Sequence, residues 1–204
     1  MNKNKYFSTP VWVENHANLL YLNTYCDKYI QQAFETTYKE DRFAQVVHSQ
    51  NFAQDYDAKP LVDLVGKYSH EFLDSQGYDM KGYDLYFTEF WVQEFTKKGG
   101  GHHQVHTHRN NHVSGFYFLA CDGQTSYPVF HDPRPGTEMT RLKVKDANAL
   151  SDGMESFHYR PRPGDLLLFN SYLPHSFLVD PGLSTFRFIH FNLQALPKEF
   201  KSNG

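Results

Sequence analysis

At 204 residues with 40% hydrophobic content, the chain is long enough for one domain with a sizeable core. Its formal net charge of −3 leaves no basic surplus to attract nucleic acid, and no apolar run approaches the roughly 18 residues that cross a bilayer. Two cysteines without a CxxC pair exclude a disulfide framework and a thiolate zinc site, and the absence of an apolar signal core leads to the expectation of a cytoplasmic protein.

The first third reads as helical. Over residues 16–38, Leu19, Leu22, Cys26, Tyr29, Ile30, Ala33 and Phe34 recur at three and four, which is one helix stripe. A second helix is announced at 57–60, where Asp57 can cap and Pro60 suits a first turn. Leu61, Leu64, Val65, Tyr68 and Phe72 continue it, and Gly77 should stop it. Beyond Tyr83 the period falls to two. YDLYFTEFWVQEF, HVSGFYFLAC, YPVFHD, ESFHYRP, GDLLLFN, HSFLV and TFRFIHFNL are short runs separated by Gly, Pro, Asp and Asn. They predict a mainly β chain: an antiparallel sandwich or roll, with the N-terminal helices packed on one outer face. No repeat or linker divides it, so a single domain over 1–204 is expected, helical over 15–77 with a sheet core over 83–195.

Five of the twelve histidines fall between His102 and His112. In an extended chain, residues two apart point to the same side, so His106 and His108 can reach one metal ion together, while His103 and His112 are offset. A third ligand has to come from another strand, and His175, which follows a turn and begins a new run, is the candidate. Such a set suits a catalytic zinc that activates water, or an iron(II) that binds oxygen and a chelating cosubstrate. The same run, with three glycines ahead of it, is also what a solvated loop looks like; isolated histidines such as His48, His70, His131 and His158 read as ordinary surface or packed residues.

Arg187 stands in the middle of the apolar run TFRFIHFNL, where an unpaired guanidinium is costly. Neighbouring runs offer no obvious acidic partner, so an inward Arg187 would grip a carboxylate bidentately. An arginine on the outer face of an edge strand is the alternative.

These residues resemble the iron(II)- and 2-oxoglutarate-dependent dioxygenases. They are more similar still to an oxygenase group found in marine phages and bacteria, through FSTPVW, Trp91 in FWVQE, HTH, SGFYFL, DPR, PGDLLLFNSYLPHSF and RFIHFN, spread from Phe7 to Asn192. The resemblance implies a double-stranded β-helix, or cupin-like jelly roll. It implies Fe(II) on His106, His108 and His175, with 2-oxoglutarate chelating the ion and Arg187 anchoring its far carboxylate. O2 would be the co-reactant and ascorbate a reductant. The superfamily's usual carboxylate ligand corresponds to His108 here, with Asp132 in HDPR as the rival. The small hydroxyl residue expected two positions after the arginine is Ile189, so Tyr117 or Asn170 would complete the anchor's hydrogen bonds.

The reaction implied is decarboxylation of 2-oxoglutarate coupled to hydroxylation of a small molecule or a peptide or protein, a prolyl residue first among the candidates. It would take place in the host cytoplasm if the chain is phage-encoded, with no nucleic-acid or membrane partner. Two other readings stand beside it: a cupin-like three-histidine metalloenzyme that uses no 2-oxoglutarate, and a non-catalytic jelly-roll binding module. Because imidazole ligates only when neutral, metal affinity is expected to fall as pH drops through about 6.

Overall fold

The computed structural model describes residues 2, 5–146 and 149–198; the ends of the expected 1–204 domain lie outside them. The chain enters through β1 (Val11–Asn15) and a 3-10 turn, then forms α1 (Leu22–Tyr25) and α2 (Asp27–Glu40). After β2 (Val46–His48) comes α3 (Lys59–Ser75), and the rest is sheet: β3 (Tyr83–Phe95), β4 (His103–His106), β5 (Val113–Ala120), β6 (Pro128–His131), β7 (Ser156–His158), β8 (Asp165–Asn170), β9 (His175–Phe177) and β10 (Phe186–Pro197).

All seven period-two runs become strands. The helix stripe is also real, since Leu22, Cys26, Ile30 and Ala33 are buried. The single helix expected over 16–38 is instead a 3-10 turn followed by two helices that abut at Cys26. Asp57 does not cap α3: it lies in a 3-10 turn, and the capping position falls to Ala58, which makes no side-chain bond. Beyond Ser75 the chain reverses at Gly77, whose φ of +92° is open to glycine at little cost.

Among the described residues, ten strands form two sheets. One has the order β1-β8-β5-β10-β3-β2 and the other β4-β9-β6-β7, with every pairing antiparallel. The six-stranded sheet is covered on both faces. Outside, α2 and α3 pack on Tyr117, Leu166, Leu168, Ile189, Phe191 and Leu193. Inside, between the two sheets, lie eight phenylalanines: Phe95, Phe116, Phe118, Phe130, Phe169, Phe177, Phe186 and Phe188. Phe177 and Phe188 stack across the gap, 4.9 Å between centroids and 9° from parallel. Successive side chains of each central strand therefore enter different cores, Phe188 the inner one and Ile189 the outer. Gly115, in the middle of β5, lets the layers close: a Cβ there would stand 2.2 Å from the Leu167 carbonyl oxygen and 2.3 Å from the Phe191 ring.

Candidate metal centre

Antiparallel pairing of β4 with β9 sets His106 directly opposite His175, so backbone register alone brings two imidazoles together, 4.4 Å between ring centroids. His108 arrives differently. β4 ends at His106, and His108 sits in the following loop, where its N–H donates to the Ser171 carbonyl at 3.0 Å. Its ring stacks on His175 at 5.0 Å, with the two Nε2 atoms 3.2 Å apart. One donor atom from each of the three histidines lies within 4.8 Å of the others.

Two of these rings are oriented as ligands usually are. His106 Nδ1 donates to the Gln104 carbonyl at 2.8 Å and His175 Nδ1 to the Leu173 carbonyl at 3.0 Å, which leaves each Nε2 lone pair for an ion. Burial pushes the pKa of His175 down to about 2 and that of His108 to about 3, so both rings hold a neutral lone pair well below neutrality. For these two ligands, proton competition therefore falls well below the pH of about 6 expected from an unperturbed imidazole. Convergent neutral imidazoles fit a first-row transition ion such as Fe(II) or Zn(II).

The residues expected to hold a cosubstrate carboxylate lie elsewhere. Arg187 faces the helix layer rather than the roll's interior, and it has acidic partners. Its Nε and Nη2 donate to Glu94 Oε2, each at 2.7 Å, and its Nη1 donates to Asp27 Oδ1 at 2.6 Å and to the Asn23 carbonyl at 2.9 Å. Glu94 is its neighbour in register on β3, a pairing invisible until the strand order is known. Tyr117 donates to the His16 carbonyl at 2.8 Å and Asn170 to Gln76 Oε1 at 2.9 Å, both on the helix side. Asp132 is not among the histidines: Arg134 grips it through two bonds of 2.9 Å, Thr137 adds a third, and Arg134 holds its pKa down at about 2. Around His175 the wall is Phe116, Phe130 and Phe169. Arg187, Tyr117 and Asn170 thus do not fit the carboxylate-binding role.

The structure adds residues that the sequence reading passed over. Glu89 Oε2 lies 3.2 Å from His190 Nε2. Asn192 Nδ2 donates both to Glu89 Oε2 and, at 3.0 Å, to His108 Nδ1, while its Oδ1 accepts from Ser114. Gln93 contacts His103 at 2.7 Å, and its Oε1 is buried without a hydrogen-bond partner. Burial lowers the His190 pKa, whereas the hydrogen bond from His190 leads the lowering of Glu89. The available signal was the period of two in TFRFIHFNL: once Phe186 and Phe188 are assigned to the interior, His190 and Asn192 follow and Arg187 is turned out.

Residues 89–186, just under half of the chain, match the family described as "Putative 2OG-Fe(II) oxygenase". The matched segment includes Glu89, His106, His108 and His175 and ends one residue before Arg187. Among solved structures, the chain is similar to a prolyl-4-hydroxylase from Pseudomonas putida, at 12% identity and TM-score 0.56 over 92% of this chain and 93% of that one. It is also similar to HygX from Streptomyces hygroscopicus, solved with nickel and 2-oxoglutarate bound, at 11% identity and TM-score 0.52 over 93% of this chain and 84% of that one. At these identities the likeness establishes the double-stranded β-helix fold. No curated protein matches the sequence. No helix among the described residues is long and apolar enough to cross a membrane.

Proposed function

We propose, from the match of residues 89–186 to the family described as "Putative 2OG-Fe(II) oxygenase", that His106, His108 and His175 hold the iron of a 2-oxoglutarate-dependent dioxygenase. The family's reaction uses Fe(II), 2-oxoglutarate and O2. Bound at the three rings, the ion supplies the redox chemistry that couples cosubstrate decarboxylation to oxidation of a second substrate. The observation that carries this reading is the convergence of three ring nitrogens within 4.8 Å against the phenylalanine core between the two sheets.

The chain's own contribution is positioning and dryness. The Gln104 and Leu173 carbonyls fix which nitrogen of His106 and His175 carries the proton. Phe116, Phe130 and Phe169 close the space behind His175 against water. The loop after β6, which the bond from the His131 N–H to the Pro174 carbonyl ties to the segment before His175, lines a cleft of about 480 Å³ that carries Arg141, Lys143 and Lys145 together with Asp132, Asp146 and Asp152. A cleft with both signs of charge suits a peptide substrate. A prolyl residue within a peptide is the first substrate to try, since the P. putida neighbour is a prolyl-4-hydroxylase.

The test is anaerobic titration of metal-free protein with Fe(II) and then 2-oxoglutarate, following the visible charge-transfer band of the chelate. The band is expected in the wild type and absent in His175→Ala at micromolar Fe(II). Fe(II) retained with no band in the wild type would favour the cupin-like three-histidine alternative, and no Fe(II) bound at all would remove the enzyme reading.

A further inference from the structure

Next to the three imidazoles lies a second ligand set. Glu89, His108 and His190 each bring one donor atom within 4.8 Å of the others. We propose that this cluster is a second divalent-cation position, formed by the Glu89 carboxylate, His190 Nε2 and the Nδ1 side of His108, with the His108 ring shared between the two positions. Two imidazoles and a carboxylate are a donor set that suits Zn(II), Co(II) or Fe(II).

The contact between His190 and Glu89 points to a cation. His190 Nε2 lies 3.2 Å from Glu89 Oε2, so a ring nitrogen and a carboxylate oxygen already face each other across a single proton. A divalent cation entering there would displace that proton to solvent and be held by both groups.

The surroundings fit the same conclusion. His190 is 2% exposed and lies against Trp91, 4.5 Å between centroids, whereas the Glu89 side chain is 45% exposed, so the carboxylate side is open to an entering ion. The Asn192 amide nitrogen, donating to both Glu89 and His108 Nδ1, supplies the positive end of a dipole between them. A cation would take over that role. When ions occupy both positions, the His108 ring ligates through both nitrogens and its remaining proton passes to solvent. His190 and Asn192 lie beyond the matched family segment, which ends at 186, so this set does not come with the match.

The experiment is titration of the metal-free full chain with Co(II), reading bound equivalents by calorimetry together with quenching of tryptophan fluorescence, for which Trp91 is the local reporter. Wild type is expected to bind two equivalents per chain, one of them quenching Trp91. Glu89→Gln, isosteric at a half-exposed position, should lose the quenching equivalent and keep the other. His106→Ala should do the reverse, so failure of the iron site and failure of this second position give different patterns. A wild type that binds one equivalent, unchanged in Glu89→Gln and lost in His106→Ala, would overturn the proposal and leave a proton as the cation between Glu89 and His190.

Discussion

Arg187 grips two carboxylates, from Glu94 and Asp27, and a backbone carbonyl with one guanidinium, between a sheet and the helices that cover it. Glu94 is 8% exposed, so removing its partner would strand a charge away from water. We expect Arg187→Met to lower the unfolding free energy by about 3 kcal/mol or more, read from urea melts, as when a buried pair loses one member. Because the guanidinium has no contact with the histidines, Fe(II) affinity of the folded variant should stay unchanged. A variant of undiminished stability that bound 2-oxoglutarate poorly would return Arg187 to the cosubstrate. That this residue has to be satisfied was legible in the sequence; which face it occupies was not. The inference of an inward guanidinium assumed that a strand has one inside, and here both faces of the sheet are covered.

At the scale of elements, period and length decided what could be read. The strands found from sequence lie within alternating or apolar runs, even where, as in β6, β7 and β9, only three or four residues of the run pair, while β1, β2 and β4 lie outside those runs. The HTH pair was legible as a ligand pair for a reason that holds only in part: His106 is in a strand, but His108 is delivered by the loop's bond to Ser171. The most demanding single element is β5, which pairs with both β8 and β10 and carries Gly115 at their closest approach. A methyl group 2.2 Å from a strand carbonyl cannot be absorbed by a rotamer change. Gly115→Ala should therefore cost about 3 kcal/mol, the upper end of ordinary overpacking, or block folding outright. Thermal melts of the variant, with Gly136→Ala as a control because no atom lies within 4 Å of its position, would check this.

The whole molecule holds several imidazoles neutral. Burial depresses His175 to about 2, His108 to about 3 and His103 to about 4, and lowers His190 as well. In the unfolded chain these rings titrate near their usual value of about 6.5, so below that pH the unfolded state binds more protons than the folded one. The stability they contribute is complete above about pH 6.5 and is lost as pH falls toward the folded values, each ring contributing a slope of up to about 1.4 kcal/mol per pH unit. The urea midpoint of metal-free protein should thus drop between about pH 7 and about pH 5, and a flat midpoint would mean that the rings titrate as exposed ones. Overall architecture was the most legible level, because seven alternating runs after two amphipathic helices admit few arrangements. The arrangement of the imidazoles was less legible, since it depends on register between strands some seventy residues apart in sequence. That register has a further consequence. Because His106 meets His175 through main-chain pairing, and each ring is pinned by a carbonyl of its own segment, the nest that would receive an ion is built by the fold itself. The chain can finish folding first and be loaded afterwards, so ion supply would govern when the protein is switched on rather than whether it survives.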